Sequence, residues 1–127
     1  MPDDRQSART LVSDLVAAYN AKDLDGLAAL YIDDARYWSA LSDWTEGIDE
    51  IRSHIQELFE LLPDEEMAIK SLVTDGQVAV VEFESTGTNP GGKLYEIEFT
   101  EVIELRGNRI ESVRVYLDPE EVQRVMA

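Results

Sequence analysis

An α+β fold is predicted, with helices first and a curved antiparallel sheet built from the second half of the chain. Three observations predict it. Apolar residues recur at helical spacing as far as Pro63, and the period becomes two residues after it. Turn signals at Asp75-Gly76, Asn89-Pro90-Gly91-Gly92 and Gly107-Asn108 then cut the second half into strands of hairpin length. Helices in sequence before a run of strands end up covering one face of the sheet.

Each element has its own signal. Leu11, Val12, Leu15, Val16 and Tyr19 form one stripe of a first helix over residues 4–22, interrupted at Asn20 to Asp23. Leu24, Leu27, Ala28 and Tyr31 share a side of a short second helix over residues 24–31, which Asp33-Asp34 ends. A short strand is expected at residues 35–40, followed by a loop from Leu41 to Gly47 that carries Trp44. Ile48, Ile51, Ile55, Leu58, Phe59 and Leu62 give the clearest helix, which Pro63 stops. Four strands follow at residues 67–74, 77–88, 93–105 and 109–117. Asp118 can cap a short closing helix, with Pro119 at its first position.

One domain over residues 1–127 is expected from the length, and 44% apolar content suffices for a core. The absence of cysteine excludes disulfides, zinc–thiolate sites and cysteine nucleophiles. With 27 acidic residues against 11 basic ones, the net charge is −16, and no basic stripe is present. Nucleic acid and anionic membrane are therefore not expected as partners, since both need a basic surface. No apolar run reaches membrane-spanning length, and Met1 to Gln6 lacks the pattern of a signal peptide, so the expected location is the cytoplasm. The acidity fits a solvated surface or a high-salt host.

Glu101 is the residue that points to function. Tyr95, Ile97, Phe99, Glu101, Ile103 and Leu105 share one parity of a strand, so a carboxylate interrupts the apolar face. A carboxylate there must be paired, protonated or held at an opening. An even-numbered loop at Asn89-Pro90-Gly91-Gly92 would pair Glu84 with Ile97 and Glu82 with Phe99, putting both glutamates on the face of Glu101. Two close carboxylates in a partly dry site cannot both ionise easily, which supplies an acid and a base near neutral pH. The other reading leaves Glu82 and Glu84 solvated, with Val81 and Phe83 buried. In the last hairpin, a two-residue Gly107-Asn108 turn sets Glu101 opposite Arg114. A three-residue loop sets it opposite Val113, on a face with Val115 and Leu117; the more apolar odd positions favour the second.

His54, the only histidine, sits beside the buried stripe of the third helix, as a structural group or as a catalytic one at the mouth of a pocket. Phe99, Val113, Val115, Leu117, Tyr31 and Trp44 are the expected apolar walls. No zinc or calcium spacing occurs, so no metal or cofactor is expected, and the acidic clusters Asp33-Asp34 and Asp64-Glu65-Glu66 read as solvated.

The segment from Tyr19-Asn20-Ala21-Lys22-Asp23-Leu24 through Tyr31-Ile32-Asp33-Asp34-Ala35 resembles the opening of the nuclear transport factor 2-like superfamily. So do Glu46-Gly47-Ile48-Asp49-Glu50-Ile51 and the turn Gly107-Asn108-Arg109-Ile110. The order of elements is most similar to the SnoaL-like polyketide cyclase branch. The resemblance implies a cone-shaped sheet wrapped around three N-terminal helices, and a homodimer through the outer sheet face. It also implies that Glu101 matches the protonated acid of the ketosteroid isomerase oxyanion hole. The base of those isomerases falls on Ser39 and their tyrosine near Leu15, so both groups are lost here. Against limonene epoxide hydrolases, the Arg and Asp of a central strand match Glu82 and Glu84, and the water-holding tyrosine matches Tyr37. Their asparagine falls on Ser39 and their last acid on Val115, where the cyclase acid also falls. The expected protein binds a small apolar or polycyclic molecule. It is either an isomerase-, cyclase- or hydrolase-like enzyme working through Glu101 with Glu84 or Glu82, helped by Tyr37 and His54, or a non-catalytic ligand-binding or dimerisation module.

Overall fold

In the computed structural model, which describes residues 4–127 and the side chains from Ser7 onward, four helices and six strands form a mixed α+β fold. Helix α1 (Asp4–Asn20) buries Ala8, Leu11, Val12, Leu15 and Tyr19, the face that the sequence period marks. Its last residue fixes the start of the distant sheet. The Asn20 amide donates to the Met67 carbonyl at 2.9 Å and accepts from the Met67 amide at 2.8 Å.

Helix α2 (Leu24–Ala28) is only one turn long, capped by Asp23. Tyr31 belongs instead to strand β1 (Tyr31–Ser39), which corrects the helical expectation for residues 29–31. The cause is tertiary: the Ile110 amide donates to the Leu30 carbonyl at 2.7 Å and draws the chain into pairing beside the last strand. Asp33 and Asp34 lie exposed within β1, where the pairing is irregular, rather than ending a helix. Residues 43–46, expected as loop, form strand β2 (Asp43–Glu46), paired with β1.

Helix α3 (Ile48–Leu61) follows Gly47, whose φ of 87° suits glycine. Strands β3 (Glu66–Asp75), β4 (Val78–Thr88), β5 (Leu94–Arg106) and β6 (Arg109–Tyr116) are consecutive antiparallel neighbours, and helix α4 (Pro119–Met126) closes the chain with Asp118 as its cap. The curved sheet has the order β2-β1-β6-β5-β4-β3, with β1 parallel to β6. Helix α1 packs on β3 and β4, α3 on β1 and β2, and α4 on β5. Among the described residues no helix is long and apolar enough to cross a membrane.

Register decides which side chains meet, and both hairpins differ from expectation. Thr88 pairs with Leu94, so the β4–β5 loop holds five residues, an odd number. Asn89 builds it: its backbone amide donates to the Lys93 carbonyl at 2.7 Å, and its side chain accepts from the Lys93 amide at 2.9 Å. Glu82 therefore faces Thr100, and Glu84 faces Glu98. A one-residue slip moves a whole set of side chains to the other face. At β5–β6 the turn is the two-residue Gly107-Asn108, but a bulge shifts the pairing beyond it, and Glu101 stands opposite Val115 rather than Val113 or Arg114.

Candidate functional site

Between the helices and the inner face of the sheet lies a cavity of about 200 Å³. Tyr31, Tyr37 and Ser39 reach it from β1, His54 from α3, Phe99 and Glu101 from β5, and Val115 and Leu117 from the end of the sheet. The remaining sequence candidates lie elsewhere. Glu82 is exposed on the outer face and accepts from the Ser71 hydroxyl at 2.5 Å, and Glu84 lies 3.5 Å from the Lys70 ammonium. Both leave the site because of the five-residue loop. Trp44 sits exposed on β2 with the Arg36 guanidinium 4.0 Å from its ring centroid. Val113 is fully buried in the packed core, opposite Ile103, one inward-facing pair beyond Glu101 and Val115.

Glu101 is 8% exposed, and among the described residues no hydrogen bond reaches its carboxyl group. Arg114, its possible partner in one reading, pairs with Glu104 at 2.6 Å instead. Burial, and secondarily the nearby Glu65 carboxylate, push the Glu101 pKa up to about 8. The group is thus largely neutral at pH 7, a hydrogen-bond donor aimed at a cavity. Tyr37 stays protonated for a similar reason, since burial and then Glu101 raise it well above the usual phenol range. Its ring lies 5.2 Å from that of His54, whose pKa burial lowers. The Ser39 hydroxyl accepts from the Leu41 amide at 3.1 Å.

The sequence reading missed a second buried acid. Glu65, expected within a solvated cluster, is also 8% exposed and lines the cavity, whereas Asp64 and Glu66 are exposed. It accepts from the Tyr19 hydroxyl and the Ser85 hydroxyl, each at 2.5 Å, and the Tyr95 hydroxyl lies 3.2 Å from that of Ser85. Two signals pointed to it. Glu65 shares the inward parity of Met67, and Tyr19, on a buried stripe, needs a partner for its hydroxyl. Tyr19 also stands one helical turn after Leu15, so it supplies a phenol to the wall on which the resemblance leaves an aliphatic residue. Among the described residues no three His, Asp or Glu side chains are grouped to hold a metal ion.

The model of the SnoaL-like domain family matches residues 12–113. The chain belongs to that family. None of the curated proteins compared with it matches significantly. Among solved structures, a protein of Jannaschia sp. CCS1 provisionally named a SnoaL-like polyketide cyclase superposes with a TM-score of 0.89. It is 18% identical, over 99% of this chain and 95% of that one. TerC, co-crystallised with polyporic acid, gives 0.86 at 13% identity, over 94% and 98% of the two chains. An NTF2-like protein of unknown function from Burkholderia pseudomallei K96243 gives 0.85 at 20% identity, over 100% and 99%. These likenesses establish a SnoaL-like, NTF2-like fold over nearly the whole chain.

Proposed function

We propose that this SnoaL-like protein binds a small, largely apolar molecule in the cavity and that Glu101 is its proton-transfer group. One observation carries the reading: a buried carboxyl with no hydrogen-bond partner among the described residues faces open, mostly apolar space. An unpaired polar group costs about 1–3 kcal/mol of stability. A ligand oxygen or nitrogen accepting its proton would satisfy the group. Tyr37 and His54 would orient the ligand, and Phe99, Val115 and Leu117 would hold its hydrocarbon part. Since an apolar cavity of about 150 Å³ takes up benzene, a space of about 200 Å³ suits one or two rings better than a large polycycle.

The catalytic form of this reading is testable without the natural substrate. Small aryl ketones exchange their α-protons when an acid polarises the carbonyl oxygen while water or a buffer base takes the proton from the α-carbon, so exchange in heavy water can be followed by NMR. The wild type should accelerate it, and Glu101→Gln should lose about 10²–10⁴-fold while keeping its fold. Exchange unchanged in Glu101→Gln would remove Glu101 from the chemistry. A non-catalytic binding module is the second reading, favoured by Ser39 and Val115 standing where the resemblance places acids. It expects tight ketone binding with no exchange.

The homodimer remains part of the proposal. Across the outer face the register aligns Val73, Val80, Val102, Arg114 and Trp38 in one row, an apolar strip flanked by glutamates. Salt should strengthen such a dimer by screening the acids. Sedimentation as a monomer at both low and high salt would rule it out.

A further inference from the structure

Among the described residues, the cavity wall carries two carboxylates, Glu65 and Glu101, and no lysine or arginine. Its one basic side chain, His54, is pushed towards the neutral form by burial. Lys22 donates to the Glu65 main-chain carbonyl at 2.5 Å and is not part of the wall. Five aromatic side chains besides His54 line the same space: Tyr19, Tyr31, Tyr37, Tyr95 and Phe99. Among the described residues Glu65 has two hydroxyl donors, whereas Glu101 has none. Among the described residues, no positive charge stands where it would let Glu101 ionise. Aromatic rings attract cations through the negative potential of their faces, and a desolvated carboxylate does so more strongly. An anionic ligand would meet two acids and no counter-charge.

We propose that the occupant of the cavity is a lipophilic cation, a protonated or quaternary amine on a small hydrocarbon body, with its nitrogen against Glu101 and its body among the tyrosines. This rests on the reading of the cavity as the binding site and narrows what enters it. A neutral amine takes the proton from Glu101: the Glu101 O–H bond breaks, an N–H bond forms, and the products are a carboxylate and an ammonium ion. A quaternary ammonium ion cannot accept that proton, so its binding releases the proton to solvent. Affinity for a quaternary cation must then fall as pH drops below the range in which Glu101 ionises.

The titratable groups that interact electrostatically with Glu101 are Tyr19 from α1, Tyr31 and Tyr37 from β1, and Glu65 before β3, while His54 from α3 and Tyr95 from β5 line other parts of the same cavity. Burial raises all four tyrosines, Tyr95 to about 12 and the others further, and lowers His54, while Glu101 changes charge near pH 8.

The test compares phenyltrimethylammonium with tert-butylbenzene, which has the same shape with carbon in place of charged nitrogen. Both are titrated into the full chain at high ionic strength, which screens the net charge of −16. The cation is expected to bind at least tenfold more tightly at about pH 8.5, and its affinity to fall by up to about tenfold per pH unit below 8. Tert-butylbenzene should show no such slope. Glu101→Gln should lose the preference for charge while still binding tert-butylbenzene. Binding of tert-butylbenzene as tight as that of the cation, or a flat pH profile for the cation, overturns the proposal and leaves the cavity as a binding site. Binding of neither probe overturns the cavity reading as well. The wild-type pH profile decides the matter even if Glu101→Gln does not fold.

Discussion

Glu65 and Glu101 are the same residue type, equally buried on the wall of one cavity, and their surroundings differ in kind. Glu65 accepts hydrogen bonds from Tyr19 and Ser85, which join α1, the start of β3 and β4 through one carboxylate. Glu101 receives none among the described residues and faces open space. The contrast separates an acid that holds the scaffold from an acid left available to a ligand. Burial alone does not distinguish them; the hydrogen-bond partners do.

The largest expected effect is on pH-dependent stability. In the unfolded chain Glu101 titrates near 4.5, and in the folded protein near 8. Between these values the folded state keeps a proton that the unfolded state has lost, so unfolding releases it and stability falls as pH rises. The contribution is fully present below about 4.5 and lost through 8, on the order of 4–5 kcal/mol in all. Urea unfolding of wild type and Glu101→Gln at several pH values isolates it from the other acids. The wild type should lose stability relative to Glu101→Gln across this window. A constant difference between the two would show that Glu101 is not shifted.

Breaking Glu65 should act at every pH instead. Glu65→Leu leaves the Tyr19 and Ser85 hydroxyls buried without their acceptor, at a cost of about 3 kcal/mol in urea unfolding. Glu101→Leu removes an unpartnered polar group together with the cost of keeping it protonated, which has accumulated over about 2.5 pH units by pH 7, and should be stabilising by about 3 kcal/mol there. Equal effects of the two leucines would erase the distinction. A smaller change sharpens it: Glu65→Gln removes the neighbouring charge that helps to raise Glu101. Its titration, followed by carbon-detected NMR of the side-chain carboxyl, should move down yet stay above the ordinary glutamate value. Burial is the larger cause and is unchanged.

These two acids also mark what the sequence reveals and what it hides. Alternation along β5 identifies Glu101 as inward-facing, because parity is a local property of one strand. Its partner across the hairpin is not local. That depends on Asn89 folding its own side chain back on Lys93, and on a bulge in β6, neither of which leaves a periodic signal. The helical stripes of α1 and α3 were legible for the same reason as β5. Tyr31 was not, since what draws it out of the helix and into β1 is its pairing with Ile110 of the distant last strand. Glu65 was readable in part: its neighbours are solvated acids, so composition pointed outward while parity with Met67 pointed inward.

The smallest effect expected is also the most direct check on the corrected register. Glu82 and Glu84 lie across the sheet from the cavity, held by Ser71 and Lys70 at the surface. Solvent between exposed charges screens their influence on a buried group, and the sheet separates them from it. The double variant Glu82→Gln/Glu84→Gln should therefore leave both ligand binding and the Glu101 titration where they are in the wild type, with a melting temperature changed by no more than about 2 °C. An even-numbered β4–β5 loop would place both glutamates beside Glu101, and removing two such charges would lower its titration by a full unit or more. A midpoint that stays put in the double variant but moves in Glu65→Gln assigns the electrostatic neighbour of Glu101 to the one acid that alternation from β3, rather than the β4 hairpin, brings to the cavity.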